Sequence, residues 1–359
     1  MDTFNFTVSG ENISVLFQRE LIIPRLPSSG GIYIADSHTV PLLRGSTGFD
    51  PAAPLVVIPA GEANKTLSSI ETILSAALEA GLARDSLFIG FGGGVITDMT
   101  AFAASLYMRG AGLELIPTTL LAMADAAIGG KTGVDFGNFK NCVGTFFPAQ
   151  KIHISVNILS SLNETEYRSG LAEVFKTALL YDADLFHLMT ERRDSILSRE
   201  QKYLSDVVTR CVQAKAQVVE RDFRESGERM YLNLGHTFGH ALESVAGFGS
   251  ITHGDAVAWG ISRALELGMR LGITDPAYAA EVRPVLTSYG WSVDPVHPVL
   301  RERIAAGSVK RADIPRLLLT AMKNDKKKRA GAVRFVLQRE LNSTLVTEAT
   351  DADVLAVLT

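Results

Sequence analysis

At 359 residues the chain is longer than one hydrophobic core usually organises, so two domains are expected. Its 47% hydrophobic and 21% charged residues are those of a globular protein, and a net charge of −4 argues against a general binder of nucleic acid or membrane surfaces. Two cysteines, Cys142 and Cys211, cannot make a disulfide framework and point to a reducing, cytoplasmic setting; neither a signal peptide nor an apolar run of ~18 residues suited to a membrane span is read.

The first half alternates short β-branched runs with helical periodicity. Residues 31–35, 55–58, 87–90, 113–116 and 152–156 read as buried strands, with helices expected at 66–80 and 96–108. Such alternation implies βαβ units and a largely parallel sheet. From Asn163 onward helix follows helix: 164–189, 199–221, 233–246 and 255–271, with Asn163 and Glu166 spaced as a capping box and Gly247 and Gly272 placed as stops. Late in the chain only 333–338 looks extended. The expected organisation is an α/β Rossmann-like domain over 1–162 and a mostly α-helical domain over 163–359, with the site in the cleft between them.

One segment keeps Asp98, Arg109, Asp125 and Lys131 inside an apolar text. Buried charge is expensive without a partner, so these groups are expected to line a polar ligand site. Within the segment, Gly92-Gly93-Gly94 follows a strand and opens a helix, the setting in which backbone N–H groups and the helix dipole bind phosphate. It is not the GxGxxG fingerprint, and a tight strand–helix turn would use the same residues. Asp36 and Glu62 follow strands, at the carboxyl ends where α/β sheets bind ligands, and a dinucleotide is the expected occupant.

In LNLGHTFGHALE, Asn233, His236 and His240 fall at i, i+3 and i+7, on one face of a helix. Glu173 and Lys176 are i, i+3 in GLAEVFK, and His253 stands before a helix that Asp255 would cap. A catalytic divalent ion takes about three protein ligands. Spacing alone selects His236 with His240 as the ligand pair and leaves His253 optional.

Taken in order, GGGVITD, YMRG, PTTLL, ADAAIGGKTG, FKN, GLAEVFK, LNLGHTFGHALE, HGDAVA and NDKK resemble the 3-dehydroquinate synthase family from about Asp36 to Lys327. The resemblance implies a Rossmann-like NAD-binding domain, a helical domain with a zinc or cobalt site, and a homodimer. Carried over residue by residue, it puts the metal on Glu173, His236 and His253 and gives His240 to the substrate, against the spacing argument. Cofactor contacts fall on Asp36, Glu62, Lys65, Gly93, Gly94, Val95, Asp98, Thr118, Thr119, Asp125, Lys131 and Lys140. Catalytic or substrate-binding positions fall on Asp125, Lys131, Lys140, Asn141, Lys176, Lys215, Arg229, Asn233, His240 and Lys326, with Arg109 reaching a neighbouring subunit. His38, Thr97 and the FGNFKN loop depart from the family pattern without removing a catalytic group.

The implied substrate is 3-deoxy-D-arabino-heptulosonate 7-phosphate, whose carboxylate and phosphate call for several cations in one site. The implied reaction is NAD-mediated transient oxidation, β-elimination of phosphate, reduction, ring opening and aldol closure to 3-dehydroquinate. A metal-dependent polyol or alcohol dehydrogenase is a rival of the same architecture, but Glu173 stands where such enzymes place an aspartate. Other sugar-phosphate cyclases are closer rivals, although Arg229 and both histidines of GHTFGHALE are retained here. An inactive scaffold would have no use for so many buried acids, lysines and histidines.

Overall fold

The structure, a computed structural model, describes residues 2–137, 139–247, 249–326 and 333–359, without the side chains of Asp325 and Lys326. It opens on an antiparallel hairpin absent from the expected elements, β1 (Asp2–Val8) and β2 (Glu11–Phe17). Ser9 and Gly10 turn it at φ 50° and 86°, the left-handed pair that a two-residue hairpin loop requires. Alternation then turns Phe6, Val8, Ile13 and Val15 inward.

The βαβ units follow: β3 (Gly31–Asp36), α1 (Val40–Gly45), β4 (Leu55–Ile58), α2 (Leu67–Glu79), β5 (Leu87–Gly92), α3 (Gly94–Leu106) and β6 (Gly112–Pro117). A short antiparallel ladder, β7 (Val134–Phe136) and β8 (Phe139–Val143), precedes β9 (Lys151–Ile154). The main sheet has the order β1-β2-β9-β6-β5-β3-β4 and is parallel except for the β1–β2 hairpin. Buried Tyr33, Ala35, Leu43, Ile89, Phe91 and Ile116 form part of its core, and β3 and β5 read as continuous apolar runs because strands of a covered parallel sheet are buried on both faces.

After β9 come α4 (Glu164–Tyr181), α5 (Ala183–Glu191), α6 (Arg193–Leu197), α7 (Gln201–Arg221), α8 (His236–Ala246), α9 (His253–Arg270), α10 (Pro276–Ser288), α11 (Pro298–Ala305) and α12 (Ile314–Lys326). A second hairpin, β10 (Arg334–Glu340) and β11 (Ser343–Glu348), and α13 (Asp351–Ala356) close the fold. An α/β sheet domain followed by helices is the expected fold class.

Several expected helices divide or shift. The single helix over 164–189 breaks at Asp182, whose carboxylate accepts the amide of Leu185 and caps α5. Asn163 accepts the amide of Glu166 at the start of α4, half of a capping box. Helix α9 begins at His253 rather than Asp255, because Thr252 supplies the cap by accepting the amide of Asp255. The helix expected to run through Asn233 starts only at His236: Gly235 is left-handed at φ 80°, and a Cβ there would meet the Val257 carbonyl at 2.6 Å. Asn233 belongs to the preceding 3₁₀ turn, Glu228–Asn233, so it does not share a helical face with His236 and His240.

The chain forms two compact units, Met1–Tyr167 with Arg199–Arg224, and Arg168–Ser198 with Glu225–Thr359. This differs from a single cut after Leu162. Helix α7, with Val207, Val208, Cys211 and Val212 buried, belongs to the first unit, where it packs against β1 and the Ala122–Ala126 turn.

Candidate active site

In the first unit, β5 runs out at Gly92 and α3 begins at Gly94. A Cβ at Gly92 would lie 2.6 Å from that of Ile96, and one at Gly93 would lie 2.9 Å from Thr119 Cγ2. These two glycines are required by the turn itself. Gly94 differs, since a Cβ there would meet nothing nearer than 3.5 Å. The position faces Ala126 and Leu121 at ordinary contact distances, and it begins a thirteen-residue helix with no side chain of its own at the first turn. That geometry fits an approaching phosphate, the group such a helix start favours. Thr118 donates its amide to the Gly92 carbonyl, and Thr119 flanks Gly93, so both threonines border the turn.

Asp36 ends β3, and its Oδ1 accepts the amides of His38 and Thr39, each at 2.8 Å. Glu62 opens an exposed 3₁₀ turn after β4. Lys65, only 4% exposed, donates to Asp98 Oδ2 at 2.6 Å and to Asn141 Oδ1 at 2.5 Å. Burial opposes its charge, but the carboxylates of Asp98 and Glu62 outweigh burial and hold the ammonium above its ordinary range. Lys215 on α7 donates to the carboxylate of Asp125 at 2.6 Å and to its carbonyl at 2.5 Å. Asp98 and Lys131 line one small cavity of about 10 Å³. Lys140 lies half-buried in β8, and Arg109 lies exposed after α3, where Met108 and Arg109 are both left-handed, at φ 46° and 68°.

In the second unit, α4 carries Glu173 and Lys176, α8 carries His236 and His240, and α9 begins with His253. The sequence brings α9 hard against α4 through Gly254, where a Cβ would run into the backbone of Ser169, and the Gly254 amide donates to the Ser169 hydroxyl at 3.0 Å. Ser169 is one helical turn before Glu173, so His253 arrives beside that carboxylate. His253 Nε2 lies 3.4 Å and His236 Nε2 3.8 Å from Glu173 Oε1. The ligand-type atoms of all three residues lie within 4.8 Å of one another.

Neither oxygen of Glu173 receives a hydrogen bond of normal geometry, although the residue is 1% exposed. Its charge is met by an ion pair with Lys176 and by the two imidazoles. Burial would push Glu173 up, yet the Lys176 ammonium, with His253 and His236, holds it well below the ordinary carboxylate range. Burial and the Lys176 charge hold His236 well below its usual value, so it is neutral and able to donate a lone pair. Burial works against a charge on His253 too, but the carboxylates of Glu173 and Glu243 prevail and raise it to about 9. A tetrahedral zinc with ligands at about 2.0–2.1 Å separates them by about 3.3 Å. A buried carboxylate whose oxygens receive no hydrogen bond of normal geometry, with two imidazole nitrogens near that spacing, fits a divalent ion.

His240 stacks edge-on against His236, ring centroids 5.3 Å apart, but joins no ligand triad with it among the described residues. The pair that spacing selects is therefore not the one the geometry gathers around Glu173. Arg229 is 1% exposed in the Glu228–Asn233 turn, and Asn233 Nδ2 donates to Glu225 Oε1 at 2.6 Å. Lys326 ends α12, but its side chain, like the basic residues 327–329, lies outside the described structure. Two acids absent from the expected site stand in it, Glu225 beside Asn233 and Glu243 beside His253. Glu243 was signalled by its position three residues after His240 and seven after His236, the same helical face.

Profiles of the N-terminal and C-terminal parts of 3-dehydroquinate synthase match residues 55–169 and 170–328. The 3-dehydroquinate synthase of Acidithiobacillus ferrooxidans is 37% identical over 339 residues, covering 93% of this chain and 89% of its own. Among solved structures, the 2-epi-5-epi-valiolone synthase of Streptomyces hygroscopicus subsp. jinggangensis 5008, with NAD+ and Zn2+ bound, superposes with a TM-score of 0.83 at 28% identity, covering 96% of this chain and 95% of its own. A 2-deoxy-scyllo-inosose synthase complexed with carbaglucose-6-phosphate, NAD+ and Co2+ shares the fold, with a TM-score of 0.83 at 22% identity over 99% of both chains.

Proposed function

The chain belongs to the 3-dehydroquinate synthase family, and on that premise we propose that it converts 3-deoxy-D-arabino-heptulosonate 7-phosphate to 3-dehydroquinate and phosphate, a step of the shikimate route to aromatic amino acids. NAD and a divalent zinc or cobalt ion are its cofactors, by analogy with the groups bound in the two cyclases. The observation that carries the proposal is the buried Glu173 carboxylate beside His236 Nε2, His253 Nε2 and Lys176.

When bound, NAD supplies a hydride acceptor and the ion a Lewis acid for neighbouring hydroxyls. The residues of the first unit suit the dinucleotide: the helix start at Gly94 would receive phosphate, with Gly93, Val95, Thr118 and Thr119 around it. Asp36 and Glu62 would accept ribose hydroxyls, and Lys65 holds Asp98 and Asn141 in fixed orientation. Lys131, Lys140 and the Asp125-anchored Lys215 supply positive charge for phosphate or carboxylate oxygens. In the second unit Arg229 offers a rigid, buried guanidinium, Asn233 and His240 add directional hydrogen bonds, and Lys176 holds a proton close to Glu173. Lys326 completes the set by analogy with the family. Among the described residues no helix is long and apolar enough to cross a membrane, and we extend the proposal to a cytoplasmic homodimer in which Arg109 serves the neighbouring copy.

The test supplies the phosphosugar acid with substoichiometric NAD and zinc or cobalt. Phosphate release over many turnovers without accumulating NADH is the expected result. Stoichiometric NADH would overturn the proposal in favour of a dehydrogenase, and preferential turnover of a phosphosugar lacking the carboxylate would move it to another cyclase.

A further inference from the structure

His253 presents its two ring nitrogens to two different carboxylates. Nε2 lies 3.4 Å from Glu173 Oε1, while Nδ1 lies 3.6 Å from Glu243 Oε1. His236 is arranged alike: its Nε2 faces Glu173 and its Nδ1 sits 3.2 Å from the Leu234 carbonyl. The nitrogens of an imidazole point in divergent directions, so a cation held on Nε2 beside Glu173 leaves Nδ1 as the protonated edge. An acceptor at that edge fixes both tautomer and ring rotation. Leu234 supplies a carbonyl for one ring. Facing that edge of the other ring is a buried carboxylate on α8, in the same unit, at ion-pair distance.

We infer that Glu243 is a positioning residue that accepts the Nδ1–H of His253 and so aims Nε2 at the Glu173 site. The inference rests on the metal assignment above and adds a residue to which no role has been given. A competing arrangement exists, because His240, Glu243 and His253 also bring ligand-type atoms within 4.8 Å of one another. In that arrangement His253 would bind through Nδ1 and Glu243 would itself be a ligand. The two arrangements demand opposite nitrogens of one ring. The Glu173 arrangement is favoured because neither buried oxygen of Glu173 receives a hydrogen bond of normal geometry, and because the His236 ring is already oriented toward Glu173 by Leu234.

The experiment measures zinc affinity by competition with a chromophoric chelator for the wild-type chain, Glu243→Gln and Glu243→Leu, with the visible spectrum of each cobalt-loaded form. Loss of such an acceptor weakens metal binding about 10- to 100-fold. Glu243→Leu should lose more than Glu243→Gln, whose amide oxygen still accepts the Nδ1–H, and the cobalt bands of the leucine variant should shift. A folded Glu243→Leu chain with wild-type zinc affinity and an unchanged cobalt spectrum overturns the inference. Nitrogen-15 histidine spectra of the zinc-loaded wild-type protein decide it even if the variants fail to fold: a protonated Nδ1 and ligated Nε2 on His253 are expected, and ligation through Nδ1 overturns it. A wild-type chain that takes up no zinc or cobalt defeats the metal assignment itself, an outcome distinct from tight binding that ignores Glu243.

Discussion

Lys65 and Asp98, thirty-three positions apart, meet at 2.6 Å, with their side chains 4% and 20% exposed. Removing one member of a buried pair is worse than removing both, because the survivor keeps its desolvation penalty. Lys65→Met should therefore destabilise the chain by about 2 kcal/mol, below the fully buried range because Asp98 keeps some solvent. Adding Asp98→Asn should restore part of that loss. Urea unfolding of the two single variants and the double variant gives the coupling directly, and strictly additive losses would show that the contact carries no energy.

Neighbouring glycines give a sharper test of the cofactor. Gly93→Ala forces a Cβ to 2.9 Å from Thr119 Cγ2, so stability should fall with or without NAD. Gly94→Ala meets only ordinary contacts at 3.5 Å and beyond, and alanine suits a helix better than glycine. Its melting temperature should hold or rise while NAD affinity drops about tenfold, ~1.4 kcal/mol. Calorimetric titration with NAD checks both variants. Undiminished affinity in a folded Gly94→Ala chain would remove the phosphate from this helix start.

Periodicity made the parallel sheet legible, since LVVI and LFIG are apolar runs too short for helices. The β1–β2 hairpin was missed, although Ser9-Gly10 separates two alternating stretches, FNFTV and NISVLF, that carry its signal. Membership of α7 in the first unit was not legible, because an amphipathic helix announces a buried face without saying which core will cover it. The metal-type cluster divides in the same way. Helical spacing groups residues of one helix, and so favours His236 with His240. Glu173 and His253 come from two other helices, brought together by the Gly254–Ser169 contact. Only the family resemblance reached across that gap.

The two histidines that rival one another for the ion separate in a simple experiment. His253→Ala should lose stoichiometric zinc and activity together. His240→Ala should keep zinc and lose rate, because its ring lies beside the triad without joining Glu173. Metal analysis after gel filtration, paired with the phosphate-release assay, reads both. Full zinc content in the His253 variant would transfer its role to His240.

Acidity should act on the metal-free and metal-loaded proteins in opposite senses. His253 is raised from the ordinary 6.5 to about 9 by its two carboxylates. A raised value means that its contribution to folding is complete below pH 6.5 and disappears as pH climbs through about 9. The metal-free chain should therefore become less stable over that window. Zinc must displace the same proton, whereas His236 is already neutral and Glu173 already ionised. Apparent zinc affinity should thus rise about tenfold per pH unit until His253 has titrated, with close to one proton released per ion from these three residues. Calorimetry in two buffers of different ionisation enthalpy counts that proton, and chelator competition at several pH values gives the slope. A flat affinity with no proton released would mean that His253 is neutral before the ion arrives, and the acid pair around it would then need another explanation.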